Sequence, residues 1–283
     1  MKGIDIAKWN PVTDYALLAK QIDFAILKII NKQNSEDGLF STHLNGCRAN
    51  DIPVCGVYNY SYAETPSKAV VDATAVINAL KRHNLYTVVW LDVEEEGIAK
   101  KLGKTLIDVI IAYKETIEAA GYKFGIYTGL YFYNTYIKPY IGITNIPMWI
   151  ARYPSSSPMN INQDPPVSKK PPVSNMVAWQ YSSKGQIQGI KGNVDLDLSY
   201  VTHDEMMAKN PTVEINAKPT LKKGDRNEYV KAWQTLLKSA GYTEVGTIDG
   251  WFGDNTEKAV THWQQDHQME AGYIGPKTWE TIK

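Results

Sequence analysis

Short apolar runs recur along the first two hundred residues, and amphipathic segments separate the early ones. The runs at 2–7, 24–30, 53–60, 87–93, 123–128, 147–151, 176–180 and 191–197 are rich in Ile, Val, Phe and Tyr and read as strands. Most are continuously apolar rather than alternating, as expected of parallel strands covered on both faces. Helical patterns lie at 11–20, 37–50, 66–83 and 103–120. The third opens with Pro66 after Thr65, and the fourth stops at Gly121, a residue that suits the end of a helix. Eight strands with helices between the early ones predict an α/β fold, a TIM-like β/α barrel. The stretch 153–175 is rich in Pro, Ser and Asn and reads as loop, so the second half of the barrel is expected to be irregular.

The pattern breaks at 204–219, where Asn210-Pro211 and Lys218-Pro219 flank a polar stretch that reads as a linker. Beyond it, amphipathic helices are expected at 225–240 and 254–267, with a third opening at Gly275-Pro276. The expected organisation is thus a barrel over 1–203, a linker over 204–219 and a small three-helix all-α domain over 220–283.

The formal net charge is zero, and residues from Lys218 onward carry as many acids as bases, as do those before them. Neither nucleic acid nor an anionic membrane surface is an expected partner, and no run approaches a membrane span. The two cysteines, Cys47 and Cys55, form no disulfide framework and lack zinc-ligand spacing. There is no His-Glu-x-x-His, so neither metal nor cofactor is expected. Met1 to Asp5 lacks the apolar core of a signal peptide, which predicts synthesis in the cytosol, or exit by a route that needs no signal. The oligomeric state is not legible.

The run at 88–94, Val-Val-Trp-Leu-Asp-Val-Glu, ends in two acids spaced i, i+2. On a strand both carboxyl groups point the same way, their α-carbons roughly 6.5–7 Å apart, at the end where β/α barrels place their active sites. Asp5 sits in the first strand, and Asp195 and Asp197 end the last. In a closed barrel the first and last strands are neighbours, so Asp5, Asp92, Glu94 and Asp195 could gather at one mouth. Each acid alone reads better as a solvated strand end or a helix cap than as a catalyst. Together they fit the paired carboxyl groups that glycosidic cleavage requires, with burial keeping one of them protonated. Glu95 and Glu96 are expected in a solvated loop.

Several segments, in order, then carry a resemblance: Gly3-Ile4-Asp5-Ile6, Phe24-Ala25-Ile26-Leu27-Lys28, Gly56-Val57-Tyr58-Asn59-Tyr60, Asp92-x-Glu94, Gly125-Ile126-Tyr127-Thr128, Met148-Trp149-Ile150-Ala151-Arg152-Tyr153, and Trp179-Gln180-Tyr181-Ser182-Ser183 through Asn193-Val194-Asp195-Leu196. Together they resemble glycoside hydrolase family 25, the Chalaropsis-type lysozymes of phages and bacteria. Two departures stand out. Asn59-Tyr60 replaces a common His-Phe pair, which would alter the cleft wall, and Asp197 replaces a usual Asn. The segment from Leu221 through Trp233-Gln234, Asp249-Gly250-Trp251-Phe252-Gly253, Trp263-Gln264 and Ile274-Gly275-Pro276 resembles the type 1 peptidoglycan-binding domain.

The resemblance implies a muramidase that cuts peptidoglycan with retention, Glu94 being the general acid. Asp92 would either orient the sugar's 2-acetamido group or attack directly, and Asp5 and Asp195 would tune the pair. Tyr58, Tyr60, Tyr127, Trp149 and Trp179 would line the cleft with Lys28 at its mouth, although aromatic residues at strand ends also suit a barrel core. Expected partners are peptidoglycan glycan strands and a wall ligand of the C-terminal domain. An endolysin waiting in the host cytoplasm for a holin pore fits this reading. Two alternatives are a chitinase-like glycosidase, against which Trp90 stands where such enzymes carry a further Asp, and a wall-binding protein without activity.

Overall fold

The computed structural model describes residues 1–139, 146–207 and 220–280. The chain divides into two compact units, Met1–Asn210 and Pro211–Lys283.

The larger unit is a closed barrel. Its strands are β1 (Lys2–Ile6), β2 (Phe24–Lys28), β3 (Val54–Tyr60), β4 (Val88–Asp92), β5 (Lys123–Gly129), β6 (Met148–Ala151), β8 (Met176–Gln186) and β9 (Val194–Ser199), with a two-residue strand β7 (Met159–Asn160) beside β8. The order β6-β5-β4-β3-β2-β1-β9-β8 closes through pairing of β6 with β8. All neighbours are parallel except β9, which runs antiparallel to both β1 and β8. That reversal corrects the expectation that Asp195 ends its strand. Asp195 lies near the start of β9, and because β9 is inverted, its start lies at the end where the parallel strands finish.

Helices cover the early strands: α1 (Tyr15–Leu18), α2 (Phe40–Ala49), α3 (Pro66–Arg82), α4 (Glu96–Leu102) and α5 (Thr105–Ala119), then α6 (Leu130–Phe132), which leads into a π-helical turn at Tyr133–Ile137. Outward strand residues such as Ile4, Leu27, Val57, Leu91, Ile126 and Ile150 form the main core with the helices. This explains the continuously apolar strands. The predicted helix at 11–20 shrinks to one turn capped by Asp14. The predicted 103–120 helix has a partner, α4, where a solvated loop was expected. Glu96 opens α4 and pairs with Lys100 one turn on, at 2.7 Å.

The interior of the barrel is a second, smaller core of Phe24, Ile26, Cys55, Val88, Trp90, Tyr127, Trp149, Ala151 and Ala178. Trp90 is its largest inward group on β4. Its ring lies over Gly56 on β3 and Gly125 on β5, where a β-carbon would overlap it. Neighbouring strands therefore give up side chains so that one indole can fill the width of the barrel. Phe24 fills the space above Gly3 in the same way.

A further helix, α7 (His203–Met207), follows β9, and Met207 packs against the interior core. The first residues of the expected linker are therefore helical and part of the barrel. Thr202 and Glu205 form a reciprocal capping box: the Glu205 N–H donates to Thr202 Oγ1 at 3.1 Å, and the Thr202 N–H donates to Glu205 Oε2 at 2.7 Å. The rest of the expected linker, 208–219, lies outside the described residues.

The smaller unit holds α8 (Glu228–Ser239), α9 (Asp254–Asp266) and α10 (Pro276–Glu280). Val230, Trp233, Leu237, Phe252, Val260, Trp263 and Trp279 form its core, with Trp233 edge-on to both Trp263 and Trp279. Two buried glutamines fix its loops. Gln234 accepts from the Asp249 and Gly250 N–H groups and donates to Asp249 Oδ1 and the Trp251 carbonyl. Gln264 accepts from the Gly272 N–H and donates to the Tyr273 carbonyl. Among the described residues no helix is long and apolar enough to cross a membrane.

Gly125→Ala should force the Trp90 ring out of place and cost about 1–3 kcal/mol. Gly129→Ala, where a β-carbon would meet nothing within 4 Å and φ is −68°, should stay within about 0.5 kcal/mol of the wild type. Denaturant midpoints of the two variants check this.

Candidate active site

The strand period turns Asp5 on β1, Asp92 on β4 and Asp195 and Asp197 on β9 toward the barrel axis, and Glu94 continues the face of Asp92 two residues on. Asp5 pairs with Asp195 across the β1–β9 ladder. Tyr60 pairs with Asp92, which in turn pairs with Tyr127. The structure thus brings Asp5, Asp92, Glu94 and Asp195 to one mouth.

Their surroundings differ. Asp5, Asp92 and Asp197 are buried, Asp195 is half-buried, and Glu94 is exposed to solvent within the mouth. Loss of water raises the Asp92 carboxyl well above its ordinary range and the nearby Glu94 charge raises it further, while Lys28 pulls it back. Asp92 Oδ1 has no hydrogen-bond partner among the described residues. Glu94 is also raised, first by the protein mass around it and then by Glu95, against the pull of Lys28. Asp195 is pushed up to about 6 by burial and by Glu94. Asp5 is raised well above its ordinary range by burial and by Asp195 and Asp197.

Neutral donors hold the deeper acids. Gln180 Nε2 donates to Asp5 Oδ2 at 2.7 Å, and Gln180 Oε1 accepts from the Tyr127 and Tyr153 hydroxyls at 2.8 and 2.7 Å. Trp149 Nε1 donates to Asp197 Oδ1 at 2.8 Å. Below them the Trp149 ring meets those of Tyr127, Trp90 and Tyr58, with centroids 4.3, 5.9 and 6.2 Å apart.

Each predicted cleft residue has a definite place. Tyr58 and Tyr60 are half-buried at the mouth. Lys28 Nζ lies 5.4 Å from the Tyr58 ring centroid, and Tyr60 donates its hydroxyl to Glu95 at 3.2 Å. Glu95 is therefore a mouth residue rather than part of a solvated loop. Tyr127 and Trp149 are buried and support the acids from within the barrel. Trp179 departs from expectation. It is 1% exposed, belongs to the outer core and gives its indole N–H to the Arg152 carbonyl at 2.8 Å. Alternation on β8 sends Trp179 outward and its neighbour Gln180 inward. Asn59, expected to alter the cleft wall, also points outward and accepts the Tyr113 hydroxyl in the helix layer.

Sequence reasoning missed Gln180, Tyr153, Asp197 and Glu95 as site residues. For Gln180 the available signal was its place, two residues after the inward Ala178, in a strand otherwise apolar to Tyr181. Among the described residues no cluster of His, Cys, Asp and Glu could hold a metal ion.

Comparison with known proteins agrees with this geometry. Residues 4–190 match the model of glycosyl hydrolases family 25. The chain belongs to glycosyl hydrolase family 25. Residues 226–282 of this family 25 chain match the model of a putative peptidoglycan binding domain. The autolytic lysozyme of Clostridium acetobutylicum is 26% identical over 287 residues, covering 99% of this chain and 76% of that protein. Among solved structures, the spore cortex lytic enzyme SleM of Clostridium perfringens superposes with a TM-score of 0.59 at 23% identity, covering 73% of this chain and 69% of SleM. The catalytic domain of endolysin ply40 from bacteriophage P40 of Listeria monocytogenes gives 0.57 at 24% identity, covering 74% of this chain and 98% of the domain. The α/β barrel is the fold these structures share with the family 25 chain.

Gln180→Leu keeps the side-chain volume but strands the Asp5 carboxyl and two tyrosine hydroxyls. It should lower stability by about 2–4 kcal/mol, read as a urea midpoint shift without change in m.

Proposed function

We propose that this family 25 glycoside hydrolase is a muramidase, cutting the β-1,4 bond between N-acetylmuramic acid and N-acetylglucosamine in peptidoglycan with net retention. The observation that carries this reading is the contrast between its two central acids. Glu94 is exposed within the mouth and raised in pKa, whereas Asp92 beside it is fully buried. A group that protonates a leaving oxygen must reach it and must favour its protonated form; Glu94 is exposed within the mouth, and burial by the surrounding protein shifts it in that direction.

Asp92 favours the substrate-assisted route over direct attack. A carboxyl buried to this depth is badly placed to form a bond to an anomeric carbon, and its raised pKa leaves less of it in the ionised form that attacks. No donor among the described residues engages Asp92 Oδ1, so this oxygen is not committed to another side chain and can accept the N–H of a 2-acetamido group held against the mouth. The acetamido oxygen then attacks C1 as Glu94 gives its proton to the leaving oxygen. Water, deprotonated by Glu94, opens the resulting ring from the opposite face, so two inversions give retention. Burial and the neighbouring Glu95 favour the protonated form of Glu94, and the charge of Glu94 in turn raises Asp195 across the mouth. Tyr58 and Tyr60 offer ring faces and a hydroxyl to the sugars.

The C-terminal unit would hold the enzyme on the wall, a role supported by the binding-domain match. We further infer an endolysin or autolysin that reaches the wall from the cytoplasm. Cys47 and Cys55, both buried and unpaired, suit a reducing compartment.

Reducing-end analysis of digested peptidoglycan tests the assignment. The wild type should release new muramic acid ends. Glu94→Gln should lower kcat by about 10²–10⁴-fold with unchanged Tm and wall binding. New glucosamine ends would make the protein a glucosaminidase instead, and full activity in Glu94→Gln would remove that residue as the acid.

A further inference from the structure

Asp197 has no part in the reaction just described. It is fully buried, one inward position below Asp195 on β9, and pairs with Gly3 on β1 and Gln180 on β8. One of its oxygens takes the Trp149 indole N–H. Across the β1–β9 ladder Asp5 stands opposite Asp195, the next inward residue, and the Asp5 and Asp197 carboxyls are hydrogen-bond partners of one another. Asp197 Oδ2 has no N–H or hydroxyl donor among the described residues. Two carboxylates repel, and they hydrogen-bond only when one carries a proton. The two neutral donors are divided evenly, Gln180 to Asp5 and Trp149 to Asp197, and Asp197 Oδ2 is left without one.

We propose that Asp5 and Asp197 share a single proton, and that this carboxyl–carboxylate bridge holds Asp5 in place at the mouth. Asp197 is thereby a positioning residue that acts through Asp5. The claim of a shared proton stands by itself, whereas the positioning role rests on the muramidase reading.

The groups facing the pair favour one proton over none. Asp195 stands on the same strand, and Glu94 acts on it across the mouth. Tyr58 from β3, Tyr127 from β5 and Tyr153 beyond β6 bring neutral hydroxyls whose ionisation Asp5 helps to suppress, and Tyr181 of β8, in the outer core, is raised by burial and by Asp197. Lys28, a cation of the mouth, faces Asp92 and Glu94. Burial, with the charge of Asp195, raises both members of the pair, and the proton belongs to the pair rather than to either residue. An Asn at 197 could hold Asp5 with an amide N–H at any pH. The acid here does so only while protonated.

The sign of the pH effect follows. The unfolded chain loses this proton near pH 4, while the folded chain keeps it to higher pH. The stability it confers is complete below about pH 4 and is lost as pH rises through the folded pKa. An Asn at 197 has no such loss. Thermal unfolding of the wild type, Asp197→Asn and Asp197→Ala from pH 4 to 8 is therefore the decisive measurement. Tm of Asp197→Asn minus Tm of wild type should grow by about 3 °C or more over that range. A constant difference would overturn the shared proton, whether or not the protein cleaves peptidoglycan.

Lysis of purified walls tests the second half. Asp197→Ala should lower kcat/KM about tenfold or more. Asp197→Asn should recover most of that loss and move the alkaline limb upward by about half a pH unit or more. An alkaline limb that coincides with that of the wild type would overturn the positioning role. If Asp197→Ala does not fold, the Asn variant decides both questions. An inactive wild type with a pH-dependent Tm difference would count against the muramidase reading and leave the bridge standing.

Discussion

Closing eight strands leaves a narrow interior that side chains must fill, and here two indoles take its centre. Trp90 reaches across from β4 over the bare backbone of Gly56 and Gly125, and Trp149 lies edge-on to it. This aromatic floor does more than close the barrel. It strips water from the lower side of every acid above it, and that loss of hydration is the first cause of the raised pKa at Asp5, Asp92, Glu94, Asp195 and Asp197. The chemistry of the mouth is set by what lies beneath it.

A dry floor under five acids poses a problem of charge. The structure answers it with neutral donors more than with cations. Trp149 offers its indole N–H upward, and Gln180 carries the hydroxyls of Tyr127 and Tyr153 on its carbonyl while its amide serves Asp5. A neutral donor steadies an acid without cancelling its charge, so the acids remain able to raise one another. Lys28 acts on Asp92 and Glu94, moderating the two groups nearest the proposed bond cleavage. The gradient from the buried Asp5 and Asp197 to the exposed Glu94 then separates groups that hold protons for structure from one that can deliver a proton to a substrate.

Much of this was legible in the sequence, for identifiable reasons. Apolar runs located the barrel strands because helices cover their outer faces, and the i, i+2 spacing of Asp92 and Glu94 survived folding because a strand has a fixed period. Asp195 came to the right mouth through a strand reversal that no local pattern announces. Trp179 was misjudged because aromatic character does not say which face of a strand a residue occupies, whereas the neighbouring Ala178 did. The start of α7 carried its own signal, Thr202-x-x-Glu205, but the polar composition around it favoured a linker. Glu95 and Glu96 looked like a solvated run because charge alone cannot separate a loop from a helix entry.

The two units place polar groups in their interiors by the same physical rule and to different ends. In the smaller unit Gln264 is buried with both its carbonyl and its amide engaged by loop backbone, so it fixes a turn and leaves nothing to titrate. In the barrel Gln180 is equally buried, but its partners are a carboxyl and two hydroxyls. Full satisfaction by backbone gives rigidity without reactivity. Satisfaction by ionisable side chains gives rigidity that depends on where protons reside. The position of Asp197 follows from this contrast: an amide there would make the floor of the mouth as inert as the turn that Gln264 holds, and an acid keeps it coupled to pH.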